Sequence, residues 1–319
     1  MRCQSRIGVD SGRRFGELPL GVALPEEPMR IGVIMAAALL AWSGASAEER
    51  RVEIDVPGGP VVGTLELPDG AGPFPTTLLL HGFAGARDEM AIAGTDEGVF
   101  SRTARRLAEG GVASLRIDFR GSGESGGAWR DTTFSGQIAD AVAAIDWLRV
   151  QPEADASRIA VLGWSQGGLV AAHAAMERPD IAALLLWAPM QNPLWNYSGI
   201  FGTEATMEGL AAAPDQDVTA PLPRGGETTL RSTFWRELPA ADPVAAVALY
   251  PGPMLVIVAA RDEVVTPQPA AGAIFLRYHP GQEELVVLDT DHLFGVTTGP
   301  AVIDGMIEQS LAWIRDATR

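Results

Sequence analysis

The chain contains no lysine: all 24 of its basic residues are arginine, which removes reactions that need a lysine Schiff base or a lysine general base. Cysteine occurs once, at Cys3, so an intrachain disulfide, a CxxC redox pair, a multi-thiolate zinc site and a nucleophilic cysteine in the folded domain are all excluded. Positive charge is scarce against 40 acidic residues, and the formal net charge of −16 provides no basic face to displace counterions from a phosphate backbone. Nucleic acid is therefore not an expected partner. Only four histidines are present, and without HExxH spacing or a cysteine cluster they make no recognisable metal site. No cofactor is implied.

What remains is 47% hydrophobic and 20% charged, the composition of an ordinary globular enzyme-sized domain. Near the N-terminus, Arg30, the apolar run Ile31 to Trp42 and the small residues Ala45-Ser46-Ala47 have the order of a secretory signal peptide, with cleavage before Glu48. The run is too short to cross a hydrocarbon core of about 30 Å, so removal is expected and a stable membrane anchor is not. A signal peptide begins at its own methionine, which makes Met29 the expected start and residues 1–28 an upstream stretch. The expected organisation is then a signal peptide at 29–47 and an α/β domain at 48–319.

After Glu48, short apolar β-rich runs alternate with helical patterns, the signature of a mostly parallel sheet flanked by helices. Arg51–Val56 and Val61–Leu67, joined through Pro57-Gly58-Gly59-Pro60, read as an antiparallel hairpin. Thr76–Leu80, Ala113–Phe119, Ile159–Trp164, Ile181–Trp187, Met254–Ala260 and Glu284–Leu288 are expected to be strands covered on both faces. Phe100, Ala104, Leu107 and Ala108 mark an amphipathic helix. A second is marked by Ile138, Ala141, Val142, Ile145 and Leu148, and a C-terminal one by Ile303, Met306, Ile307, Leu311 and Ile314. The stretch from about 190 to 250 breaks this alternation. It is rich in proline and aromatics and lies after the sixth strand, where it is expected to be a cap insertion.

Gly163-Trp164-Ser165-Gln166-Gly167 lies where a strand gives way to a helix, the setting of a nucleophile elbow. Gly123-Glu124-Ser125-Gly126-Gly127 also fits G-x-S-x-G, but no helix starts at Ser125, which is read as a turn residue. For the same reason Gly121-Ser122-Gly123-Glu124-Ser125-Gly126 is a poor dinucleotide fingerprint. A serine nucleophile needs an imidazole base. His173 shares a helix stripe with Leu169, Ala172 and Met176, His279 sits in a polar turn, and His81 opens the loop after the third strand. His292 follows the last strand by a short loop and is the expected base. Asp262, just past the strand Met254–Ala260, gives the order Ser, Asp, His and is expected to orient it, with Glu263 the nearest competitor and Asp291 a solvated loop carboxylate. The backbone N–H groups of Phe83 and Gln166 are the expected oxyanion donors.

His81-Gly82-Phe83, Asp118-Phe119-Arg120-Gly121-Ser122-Gly123-Glu124-Ser125, Gly163-Trp164-Ser165-Gln166-Gly167, Ala260-Arg261-Asp262-Glu263-Val264-Val265 and Asp291-His292 occur in one order. Together they resemble the bacterial α/β-hydrolases that include feruloyl and cinnamoyl esterases, over roughly residues 70–318. The resemblance implies an α/β-hydrolase fold and a serine carboxylesterase with an insertion after the sixth strand. A small-molecule ester of short-chain or aryl acid is the expected substrate. Trp195, Tyr197 and Trp235 of the insertion are candidate pocket walls. Two other readings are open, a serine peptidase or aminoacyl hydrolase of the same fold, and a catalytically silent binding protein.

The expected signal sequence predicts a periplasmic or extracellular protein, with a mature chain beginning at or near Glu48. N-terminal sequencing of the protein purified from its native host tests this. A cytoplasmic chain that keeps residues 29–47 would reverse the assignment.

Overall fold

Alternation of apolar and polar residues in the first part of the domain produces an antiparallel pair, β1 (Glu48–Ile54) and β2 (Val61–Leu67), in which Ile54 faces Val61 and Glu48 faces Leu67. The computed structural model describes residues 48–319 apart from Glu89 and Arg224. The expected signal sequence at 29–47 and the upstream stretch 1–28 lie outside the described residues.

The apolar runs that follow become the parallel strands β3 (Phe74–Leu80), β4 (Ala113–Ile117), β5 (Ala154–Trp164), β6 (Ala183–Trp187), β9 (Met254–Ala259) and β10 (Glu283–Leu288). The sheet has eight strands in the order β1-β2-β4-β3-β5-β6-β9-β10. β2 pairs antiparallel with β4, and every later pairing is parallel. This is the α/β-hydrolase fold expected from the sequence, with boundary differences of a few residues. The run Ala113–Phe119 leaves the sheet after Ile117, since Asp118 and Phe119 are already held in the loop that follows.

Side chains alternate across the sheet into two cores. Val161, Val256 and Val258 face the layer formed by α2 (Phe134–Leu148), α3 (Gln166–Glu177) and α8 (Ala270–Tyr278). Leu162, Leu255 and Ile257 face α1 (Val99–Glu109) and α9 (Ala301–Ala317). The expected helix stripes fall in α1, α2 and α9, and most of their apolar residues are buried against the sheet, with Ile138, Val142 and Leu311 half-buried. α8 was not evident from the sequence; it is a short helix whose buried face is only Ala271, Gly272 and Phe275.

Between β6 and β9 the chain leaves the sheet. It forms α4 (Pro193–Phe201), α5 (Thr203–Ala211), the antiparallel hairpin β7 (Asp217–Pro221) and β8 (Glu227–Arg231), α6 (Ser232–Glu237) and α7 (Pro243–Val247). Tyr197, Phe201, Phe234 and Trp235 are fully or almost fully buried there. α5 lies close against Trp235, because a Cβ on Gly209 would come within 2.2 Å of the indole.

The parallel strands β3 and β4 are joined at their carboxyl edge by His81. Its Nε2 accepts the Phe119 N–H at 3.2 Å, which leaves Nδ1 as the protonated nitrogen, donating to the Gly82 carbonyl at 2.8 Å. The ring is fully buried, and burial lowers its pKa from 6.5 to about 4. A histidine whose folded pKa is depressed takes up its proton more readily in the unfolded chain. Its contribution to stability is therefore complete above pH 6.5 and lost as pH falls toward 4. Relative to His81→Gln, the native chain should lose about 3 kcal/mol over that interval, at about 1.4 kcal/mol per pH unit. Denaturant unfolding of both proteins from pH 7 to pH 4 measures the difference; parallel stability curves would show that the buried ring is not responsible.

Candidate active site

At the end of β5 the backbone turns sharply into α3 through Ser165, whose φ of 55° and ψ of −116° lie outside the regions that residues with a side chain ordinarily occupy. Such strain costs about 1–3 kcal/mol and persists only where the surroundings over-determine it. Here they do. The Ser165 N–H donates to the Trp187 carbonyl at 2.8 Å, while its carbonyl accepts the Met190 N–H at 3.1 Å and the Gly168 N–H at 3.0 Å. Gly163 and Gly167 are required by contact, since a Cβ on Gly163 would lie 2.1 Å from the Gly167 oxygen and a Cβ on Gly167 would lie 2.1 Å from the Leu80 oxygen.

The turn raises the Ser165 hydroxyl to the carboxyl edge of the sheet, where the loops after β9 and β10 meet it. His292 Nε2 lies 3.1 Å from Ser165 Oγ, and His292 Nδ1 lies 2.7 Å from Asp262 Oδ2. The Asp262 side chain is fully buried, and its other oxygen accepts the N–H groups of Val264 and Val265, each at 2.8 Å. One oxygen is fixed by backbone, which aims the second at the imidazole. That acceptor makes Nδ1 the protonated nitrogen and frees Nε2 to take a proton from Ser165. The competitors are placed elsewhere. Glu263 is exposed, and Asp291 uses one oxygen to accept the N–H groups of Leu293 and Gly295, closing its own loop. His173 is half-buried with Nδ1 on the Leu169 carbonyl of its own helix, and His279 contacts Glu283.

The loop after β3 passes directly beside the serine, because a Cβ built on Gly82 would stand 3.5 Å from Ser165 Cβ. The Gly82 carbonyl accepts from His81 Nδ1 and, at 3.3 Å, from the Gly85 N–H. A trans peptide points its N–H opposite its carbonyl, so these two bonds also set the direction of the Phe83 N–H. Neither that N–H nor the Gln166 N–H has an acceptor among the described residues. The far side of the loop is fastened by Asp118, which accepts the Arg87 N–H at 2.7 Å, the Arg87 guanidinium and the Glu124 N–H at 2.9 Å. Ser125 is a structural turn residue: it accepts the Val62 N–H at 2.7 Å and donates to the Asp118 carbonyl at 2.6 Å. A cradle for phosphates is ruled out at Gly123, where a Cβ would meet the Asp118 carboxylate at 2.2 Å.

A cavity of about 400 Å³ opens over Ser165 and His292, walled by Met90, Met190, Ile200, Leu222, Val264 and Leu293. The expected pocket residues of the insertion need correction. Trp195 is 60% exposed, with Nε1 on Thr266 Oγ1, and lines a separate cavity with Asp242, Ile274 and Tyr278. Tyr197 and Trp235 are wholly buried in the aromatic core of the insertion and do not reach the cavity. Large aromatic rings bury more area inside the insertion than at its rim, and no sequence pattern marked which face was inward. The actual walls, Met190 and Ile200 among them, carried no signal in the sequence. Among the described residues, no group of three or more His, Cys, Asp or Glu is arranged to hold a metal, and no helix is long and apolar enough to cross a membrane.

Known proteins are similar to this chain. Over 111 residues the chain is 34% identical to uncharacterized protein RP471 of Rickettsia prowazekii, a match covering 35% of this chain and 45% of that protein. It is 32% identical to Esterase FrsA of Escherichia coli over 147 residues, 46% of this chain and 33% of the relative. The chain thus spans less than half the length of these curated relatives. The solved structure of Est1E from Butyrivibrio proteoclasticus with ferulic acid bound is 25% identical. It superposes with a TM-score of 0.65 over 83% of this chain and 99% of its own. That neighbour bears out the resemblance read from the sequence motifs. The family model described as X-Pro dipeptidyl-peptidase (S15 family) matches residues 58–264, a span that runs from the β1–β2 turn through the Ser165 elbow to just past Asp262. The chain belongs to the X-Pro dipeptidyl-peptidase (S15) family, built on the α/β-hydrolase fold.

Proposed function

We propose that the protein is a serine carboxylesterase acting on esters of short-chain or aryl acids. The observation that carries this reading is the hydrogen-bonded chain Ser165–His292–Asp262 opening into an apolar cavity of about 400 Å³. Ser165 Oγ attacks the ester carbonyl while His292 Nε2 takes its proton, and Asp262 stabilises the resulting imidazolium. The negative oxygen of the tetrahedral intermediate is held by the Phe83 and Gln166 N–H groups, each worth about 10²–10³-fold in rate. His292 returns the proton to the departing alcohol, leaving an acyl group on Ser165. Water then attacks that acyl group by the same route in reverse.

The family match is compatible with a second reading, cleavage of the peptide bond on the carboxyl side of the proline in an N-terminal aminoacyl-proline unit by the same serine. Such a substrate presents a free ammonium, which requires a carboxylate in its subsite. The cavity's described side chains are apolar around Ser165 and His292, which favours a neutral acyl group. Export to the periplasm or beyond is proposed on the strength of residues 29–47 alone.

Ser165→Ala and His292→Ala should each lower kcat on 4-nitrophenyl butyrate by at least about 10⁴-fold. Ser125→Ala should keep kcat and lose on the order of 1–2 kcal/mol of stability through its two backbone hydrogen bonds. His173→Ala and His279→Ala should remain active. Steady-state kinetics with thermal unfolding decides the assignment, and an active His292→Ala enzyme would move the base elsewhere.

Substrate ranking provides a second check. Filling the cavity with Ile200→Trp should shift preference toward acetate and away from aryl acids, whereas Trp195→Ala should leave the ranking unchanged. The comparison uses kcat/KM on acetyl, butyryl and hydroxycinnamoyl esters and on an aminoacyl-proline nitroanilide. Best turnover of the nitroanilide would favour the peptidase reading.

A further inference from the structure

The residues that carry the two unpaired N–H groups, Phe83 and Gln166, belong to different elements, yet their side chains converge on one residue of the insertion. Gln166 is fully buried at the first position of α3, so both ends of its amide need partners. Its Oε1 accepts the Tyr197 hydroxyl, and its Nε2 donates to Gln137 Oε1 at 2.5 Å. Gln137 is buried on α2 and Tyr197 on α4, so this chain of polar groups ties the nucleophile turn to the insertion. The Phe83 ring meets the same tyrosine edge-on, with centroids 5.3 Å apart and planes at 76°. Phe201 and Phe234 surround both rings.

We propose that Tyr197 is a positioning residue of the oxyanion site, holding Gln166 through its hydroxyl and Phe83 through its ring. The proposal rests on the esterase reading above. Tyr197 touches no reacting atom; it acts by fixing the two residues whose backbone N–H groups face the developing oxyanion. A tyrosine serving only as core packing would need its ring and not its hydroxyl. Here the hydroxyl is the sole donor to the buried Gln166 oxygen among the described residues. Burial raises the phenol well above its ordinary pKa, so it stays protonated and remains a donor. Loss of that donor leaves the Gln166 carbonyl unpaired in a closed interior, and rotation of the side chain toward another partner would turn its own N–H off axis.

The test compares the full chain with Tyr197→Phe, Gln166→Met and the double variant. Each is measured for kcat and KM on 4-nitrophenyl acetate, for the rate of inactivation by a 4-nitrophenyl alkylphosphonate, and for thermal unfolding. The phosphonyl oxygen occupies the place of the oxyanion, so inactivation reports the site separately from turnover. Each single change should lower kcat and the inactivation rate in parallel, on the order of ten-fold, with KM within about two-fold. The double variant should be no worse than the more damaged single one, because both remove the same bond. A folded Tyr197→Phe protein with both rates within about two-fold of wild type would overturn the proposal, as would additive losses. If Tyr197→Phe does not fold, Gln166→Met decides together with Gln137→Leu: both remove the Gln137–Gln166 bond but only Gln166→Met also removes the tyrosine bond, so equal losses in the two would overturn the proposal. A wild-type protein that neither hydrolyses esters nor is phosphonylated at Ser165 would instead bring down the esterase reading on which the proposal stands.

Discussion

Backbone pressed against backbone at Gly163 and Gly167 is the constraint on which the rest of the site depends. With carbonyl oxygens 2.1 Å from where either side chain would begin, β5, β3 and the start of α3 cross at a distance only glycine permits. That crossing forces Ser165 into its positive-φ turn, lifts the hydroxyl off the sheet edge and brings the loop after β3 alongside it. His292 and Asp262 can be supplied by ordinary loops because the difficult geometry has already been met on the nucleophile's side. Their mutual arrangement is then a matter of two backbone N–H groups holding one carboxylate oxygen.

What was legible in the sequence was whatever is encoded locally. The elbow is a five-residue pattern, and the strands are continuous apolar runs. The decisive loops follow those strands by only a few residues, so Ser165, Asp262 and His292 could be chosen by position, and the structure brings the three within hydrogen-bond distance in sequence. Ser125 could be set aside because no helix follows it, and its two backbone bonds agree. The cavity was not legible, since its walls come from the β3 loop, the β6 loop, α4, the β7–β8 turn and the loops after β9 and β10. Aromatic content pointed to Trp195, Tyr197 and Trp235, but composition gives no direction. In the folded segment Tyr197 and Trp235 turn inward, whereas Trp195 stays at the surface.

The insertion is therefore better described by what it buries than by what it exposes. Its aromatic cluster takes in Phe83 from the β3 loop and Phe134 from α2, so the catalytic side of the sheet and the insertion share one interior. A segment that only covered a pocket could slide over the sheet; this one is pinned by rings and by the Gln137–Gln166–Tyr197 chain.

The cavity walls have a consequence of a different kind. Met90 and Met190 stand on two of its sides, from the β3 and β6 loops. An unbranched thioether bends at three bonds and deforms at low cost, unlike the β-branched Ile200 and Val264 facing the same space. A chamber bounded in part by such yielding material measures its guests by bulk more than by outline. Flat and branched guests of equal size would be accommodated alike, and discrimination would begin only where volume runs out.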